Sequence, residues 1–485
     1  MTSLRLLHVA SEMAPLAKAG GLADVVAALS AGMSERGHEV RVVLPLYRSM
    51  QEHLPDFETD PDLEDVVVRL GPHAYGVSFR HQARQGVTVY AVDCPALYDR
   101  EGIYTEDPDE SHRFALLSRA ALSLCQETAW APDVIHLHDW HTALSSLYLQ
   151  LISPWERLFD ETAVLLTLHN LGYQGVFAGE VAADLGLMDF VEGEEGDEEP
   201  FNFLGAGIVS ADHLTTVSET YAQEIQTEEG GMGLHQALAE QSSHLTGIVN
   251  GVDDTLWNPG TDTHIAQTFT SDSLEGKSMN KAQLLEDFGL QGGEEIPLLA
   301  MVSRLVWQKG LEIVEGPLER LLEEQRAQVV VLGSGEEKYE AMLTALGEAF
   351  PGGMAFQRGY DEALAHRIEA GADFFLMPSR YEPCGLNQMY SMAYGTVPIV
   401  RRTGGLADTV TPCDEEGRRG TGIVFDAFTA EAFGEALGTA LALYGDREAL
   451  DRVRRRGMET DYTWSRQVEA YEKLYRSMLE SAGRV

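Results

Sequence analysis

Short continuous apolar runs recur along this chain, and most are followed by a stretch whose apolar residues return with helical spacing. In the first half the runs are Leu4–Ala10, Glu39–Leu46, Asp133–His138, Ala163–Leu168, His213–Val217 and Ile248–Val252. In the second half they are Pro297–Val302, Gln328–Leu332, Met354–Gln357, Asp373–Met377 and Val397–Val400. Runs that are apolar throughout, rather than alternating, mark strands covered on both faces, as in a parallel sheet with helices on either side. Helical spacing stands out at Gly21–Arg36, Arg113–Thr128, Ala430–Leu443, Arg447–Arg456 and Trp464–Leu479. Val66–Leu70 and Val77–Cys94 read as strands and a hairpin on one sheet edge. The pattern predicts an α/β chain, and 485 residues exceed what one core organises. The turn Asn250-Gly251-Val252-Asp253 separates the two runs of alternation. Two doubly wound parallel-sheet lobes are expected, residues 1–253 and 254–463.

Composition narrows the class. Hydrophobic residues make up 44% of the chain, as in ordinary globular proteins. No apolar run reaches the length of a membrane span, and the N-terminus reads as a first strand rather than a signal peptide. Four scattered cysteines, Cys94, Cys125, Cys384 and Cys413, have no metal or disulfide spacing and fit a reduced cytoplasm. Acidic residues number 77 against 35 basic ones, a net charge of −42, and only six residues are lysine. Such a surface repels itself and nucleic acid alike, and points to a cytoplasm rich in salt. Glu192–Glu199 reads as a solvated acidic loop without function.

The stretch Ser379–Val410 carries the densest chemistry. Glu382 stands on a turn beside Pro383, a glycine-opened helical run follows from Gly385 to Tyr394, and Thr403-Gly404-Gly405 opens a second helix. Backbone N–H groups left bare at such openings suit phosphate. A carboxylate in that company needs a different partner, and sugar hydroxyls fit. The string GGLAD occurs at Gly20–Asp24 and again at Gly404–Asp408, once per lobe, which suggests one diphosphate held between them. Arg304 and Lys309 follow a strand, where two cations in a lysine-poor lobe suit an anion. Lys18 adjoins Gly20 and Gly21. Gly333-Ser334-Gly335 reads as a glycine turn, though it lacks the third glycine of a dinucleotide fingerprint. His136 and His138 share one strand face, as metal ligands can, but no completing set is evident, and packed histidines are the better reading.

Taken together, SEMAPL with KAGGLADV, HLHDWHTAL, THNLGYQG, NGVD, SRLVWQKG and SRYEPCGL with RRTGGLADTV resemble bacterial glycogen synthases and plant starch synthases, in order from Leu6 to Tyr475. The resemblance implies the GT-B fold, with two Rossmann-like lobes facing each other across a deep cleft and a C-terminal helix, 464–485, crossing back to the first lobe. It implies a retaining transferase moving glucose from ADP-glucose to the non-reducing end of an α-1,4-glucan, with no metal or other cofactor. It places Asp139, His169, Glu382, Arg304 and Lys309 at the reaction. It assigns Lys18, Gly20, Gly21, Gly333, Gly335, Tyr360, Cys384, Gly385, Leu386, Asn387, Thr403 and Gly404 to the donor. Glu12, Tyr98, Trp140 and Asn170 fall on the acceptor side. Two positions depart from the wider pattern. Tyr390 stands where many relatives of this fold carry a second glutamate, and Gly205 where this family usually has lysine.

Three other readings compete with this one. A related transferase using UDP-glucose or another acceptor shares the fold. A nicotinamide oxidoreductase would need one complete GxGxxG fingerprint with an acidic residue at the next strand's end, which is absent. A glucan-binding protein without activity would not retain these charged residues.

Overall fold

A computed structural model describes residues 2–50, 56–190, 200–481 and 483. The acidic segment 192–199 lies outside them. The chain forms two units: Met1–Gly251 together with Trp464–Val485, and Val252–Thr463.

The first unit is built on one sheet of strands β1 (Arg5–Val9), β2 (Glu39–Pro45), β3 (Glu58–Thr59), β4 (Val66–Leu70), β5 (His73–Arg84), β6 (Val87–Asp93), β7 (Val134–His138) and β8 (Ala163–Leu168), joined by a later pair given below. A separate two-stranded piece pairs β9 (Val176–Phe177) with β10 (Phe201–Asn202), and β11 (His213–Thr216) and β12 (Leu245–Gly247) complete the main sheet. The spatial order is β12-β11-β8-β7-β1-β2-β6-β5-β3, with β4 on β5. Pairing is parallel from β12 to β6 and antiparallel beyond. The β5–β6 hairpin lies at one end of this sheet, as the sequence predicts, and β6 joins it to the parallel strands by pairing with β2. Burial follows. All residues of β7 and β8 are buried, as expected for strands covered on both faces. The helix Trp464–Ser481 packs on Gly21–Glu35, where Gly32 leaves no room for a side chain beside Val468.

The second unit is a six-stranded parallel sheet of β13 (Leu298–Leu305), β14 (Gln328–Gly335), β15 (Met354–Arg358), β16 (Phe374–Met377), β17 (Val397–Arg401) and β18 (Ile423–Phe425). Its order, β15-β14-β13-β16-β17-β18, is the doubly wound Rossmann arrangement. Leu299, Val329, Val331, Phe374, Leu376 and Ile399 form its core with helices such as Ala430–Gly445. Two of the chain's few lysines lie inside this unit. Lys281 pairs with Asp373 at 2.7 Å, and Lys277 is held by the carbonyls of Ala370 and Tyr394 and the Thr396 hydroxyl.

Candidate active-site residues in each unit

In each sheet the chain order reverses beside the first strand, between β1 and β7 and between β13 and β16. Ligands of open α/β sheets sit at the carboxyl ends of strands next to such a reversal. Here those ends carry Glu12 and Asp139 in the first unit, and Arg304 and Glu382 in the second.

In the second unit, Arg304 is exposed on β13 opposite Ser334. The chain then makes the short turn Trp307–Lys309, closed by Gly310 at φ +70°. A Cβ on Gly310 would lie 2.1 Å from the Pro378 carbonyl, so only glycine brings the Lys309 turn against the segment leading to Glu382. Lys309 Nζ reaches Glu382 Oε2 at 2.6 Å, and Ser379 Oγ donates to the same oxygen at 2.9 Å. Glu382 is buried. Two turns meet beside it. Gly405 N donates to the Glu382 carbonyl at 3.0 Å, and a Cβ on Gly404 or Gly405 would stand 2.0 Å from the carbonyl of Glu382 or Cys384. Cys384 is buried, Gly385 takes φ +71°, and Leu386 caps the helix Asn387–Ala393. Asn387 Nδ2 is fixed on the Val302 carbonyl at 2.7 Å, and Thr403 stands in extended conformation just before the helix Gly404–Thr409. Tyr390, in place of a second glutamate, stacks on Trp257 with ring centroids 3.9 Å apart. Tyr360, on the turn after β15, is 66% exposed.

Gly333 and Gly335 correct the sequence reading. They are not a turn but the end of β14. Cβ atoms there would lie 2.1 Å from the Ser303 carbonyl and 2.3 Å from that of Leu305, so these glycines let β13 and β14 run closely past Arg304.

In the first unit, Asp139 follows β7 with φ +57°, a left-handed conformation rarely adopted by residues other than glycine and concentrated at functional sites. Its Oδ1 accepts from the amides of His169 at 2.7 Å and Asn170 at 3.4 Å. Burial pushes its pKa up to about 7, although those amides pull the other way. His169 is half-buried at the end of β8, and desolvation pushes its pKa down to about 3. Lys18 pairs with Asp24 at 2.8 Å on the helix opened by Gly20 and Gly21.

Three residues expected on the acceptor side are buried. Glu12 is 2% exposed; its carboxylate accepts from the amides of Ala19 and Gly20 and from the Tyr104 hydroxyl, so it holds the glycine turn from within. Tyr98 is fully buried and donates to the Arg113 carbonyl at 2.7 Å. Trp140 is buried among Phe114, Phe177 and Phe203, with Gly175 at φ +61° against its ring. All three brace the loops from within. Gly205 lies under the Asn202 cap, with Leu234 close by. Sequence reading missed Ser379, three residues before Glu382, and His8, which lies against His138. His136 and His138 are hydrogen-bonded, packed rings, as expected.

A strand-end carboxylate with a lysine, two glycine turns and a second Rossmann-like unit define a glycosyltransferase of the GT-B class. Comparison with known proteins agrees. Residues 5–240 match the starch synthase catalytic domain and residues 286–457 the glycosyl transferases group 1. A glycogen synthase from Treponema denticola is 41% identical, covering 98% of this chain and 99% of its own; one from Syntrophotalea carbinolica is 40% identical with the same coverage. The structure of the catalytic domain of starch synthase IV from Arabidopsis thaliana, bound to ADP and acarbose, superposes with a TM-score of 0.89 at 34% identity over 99% of this chain and 100% of that one. The chain belongs to the glycogen synthase and starch synthase family, and is a glucosyltransferase of that family's type. Among the described residues no helix is long and apolar enough to cross a membrane.

Proposed function

We propose that this chain transfers glucose from ADP-glucose to the non-reducing end of an α-1,4-glucan such as glycogen, with retention at the anomeric carbon, in the cytoplasm. The observation that carries this reading is the Lys309–Glu382 pair set beside two turns whose backbones only glycine permits. Arg304 and Lys309 balance the charge that builds on the departing diphosphate. The turn amides of Cys384–Asn387 and Thr403–Gly404 bind its oxygens, and Lys18 with the Gly20–Gly21 turn has the same chemistry, a cation beside backbone amides. Freed from Lys309, Glu382 accepts from hydroxyls of the donor glucose, and the exposed Tyr360 ring stacks on the base. Asp139, when ionised, stabilises positive charge on the reacting sugar carbon, and His169 and Asn170 position the sugars. The starch synthase structure bound to ADP and acarbose supports a nucleotide diphosphate and a glucan-like chain as ligands.

With two cations and amide donors for the diphosphate, no metal or other cofactor enters the proposal. The test is nucleotide diphosphate release from ADP-glucose and from UDP-glucose, with and without glycogen, in EDTA. Glycogen-dependent ADP release in EDTA is the expected result. Preference for UDP-glucose would move the reading to a related transferase, and release abolished by EDTA would remove the metal-free mechanism.

A further inference from the structure

His169 is the end of a chain of imidazoles. Its Nε2 lies 3.0 Å from His138 Nδ1, and His138 Nε2 lies 3.2 Å from His8 Nδ1. His8 and His138 come from the neighbouring parallel strands β1 and β7, and both are fully buried. His136 is not a link. It stacks on His138 with centroids 4.2 Å apart, and its own nitrogens contact the Tyr475 hydroxyl at 2.8 Å and Thr167 Oγ1 at 2.6 Å.

Each link needs one N–H and one bare nitrogen, and a neutral imidazole has one of each. Desolvation keeps all three rings neutral: it pushes His8 and His169 down to about 3 and His138 well below its ordinary value. The protons can then run in two directions only. The far end of the chain separates them. His8 Nε2 is buried and has no hydrogen-bond partner among the described residues. If protons ran from His169 toward His8, that nitrogen would be a buried N–H with no acceptor, which carries the desolvation cost of an unpaired donor. Running the other way, it is a bare acceptor, and every ring, His169 included, carries its proton on Nδ1.

We propose that His8 and His138 are positioning residues that hold His169 in its Nδ1–H tautomer, making that N–H its fixed donor to a hydroxyl of the transferred sugar. The second half of this inference rests on the glucosyl transfer proposed above; the tautomer itself does not.

The full chain labelled with ring ¹⁵N-histidine decides the first half. Long-range ¹H–¹⁵N spectra, with His169 assigned by its loss in His169→Gln, are expected to show a protonated Nδ1 and a bare Nε2. A protonated Nε2, or exchange between the two forms, overturns the proposal. Stoichiometric zinc or copper in the purified protein would do the same, since His8, His136 and His138 have nitrogens within 4.8 Å of one another. Kinetics decide the second half. His138→Leu is expected to mix the tautomers and lower kcat on the order of 10²-fold with little change in KM. His138→Asn, whose amide N–H replaces the ring Nδ1–H, is expected to restore both. Leucine matching wild type, or asparagine no better than leucine, overturns the positioning role. If circular dichroism shows His138→Leu unfolded, His8→Leu is read against the same two outcomes. Wild-type protein that transfers no glucose at all overturns the function reading, and the spectra then decide the tautomer alone.

Discussion

Lys309 and Glu382 are each other's partners, with Nζ and Oε2 2.6 Å apart, although the sequence assigns one to the diphosphate and the other to the sugar of the same donor. The pair therefore behaves as a unit. Lys309→Ala leaves a buried carboxylate with Ser379 Oγ as its remaining side-chain donor, and kcat/KM is expected to fall on the order of 10²-fold or more. Glu382→Ala is expected to abolish most turnover. The double variant loses little beyond the worse single one, because both changes dismantle the same arrangement. Additive losses in that cycle would show two independent sites.

Asp139 predicts a pH dependence of known sign. Its folded pKa, about 7, lies above the ordinary carboxylate value, so the folded protein holds a proton that the unfolded chain has released. Between the unfolded value and about 7 stability falls as pH rises, then levels off. Asp139→Asn is expected to remove that leg of a plot of Tm against pH. Catalysis runs the opposite way: the ionised form supports the cationic sugar, so kcat/KM rises through an apparent pKa near 7, and this rise vanishes in Asp139→Asn. His169 cannot supply that rise, since it titrates near 3.

Gly404 has no room for a methyl group. Its φ is +42° and its Cβ would stand 2.0 Å from a backbone carbonyl. Gly404→Ala is expected to cost about 3 kcal/mol of stability or more, measured by urea unfolding, and to raise KM for the sugar nucleotide. An alanine variant with wild-type stability would mean that the two turns do not meet as described.

Tyr98→Phe separates support from recognition. Deleting a buried hydroxyl bonded to the Arg113 carbonyl is expected to cost about 1 kcal/mol. KM for glycogen should not move, whereas a direct acceptor contact would raise it.

A charge of −42 predicts salt-assisted folding. Tm is expected to rise as KCl goes from about 0.1 M to about 2 M, as like charges are screened. A flat or falling curve would make the acidic surface a matter of composition alone.

The elements legible in the sequence were those with strong patterns. β8 stands where its apolar run predicted, because a strand covered on both faces has no polar position to blur its ends. β18 was missed, being three residues long. The Gly333–Gly335 run was misread because glycine marks both turns and close strand contacts, and only the register opposite Ser303 and Leu305 separates the two. At the site, motif matching supplies identities but not surroundings, and the burial and partners of Glu12, Tyr98 and Trp140 are visible only in the structure. The His8–His138 contact joins residues 130 positions apart, and His8 looked like one more residue of a first strand.

The helix Trp464–Ser481 has a consequence for how the protein is made. Glu472 pairs with Arg36, Tyr475 bonds His136, and Val468 fills the space over Gly32, so the first unit is closed by residues made only after the second unit. The whole second unit is synthesised in the interval. During translation residues 252–463 can therefore reach their native form before the unit that began ahead of them. A chain cut after residue 463 would keep every strand of the first unit and still expose the face of Gly21–Glu35 that Val468 covers.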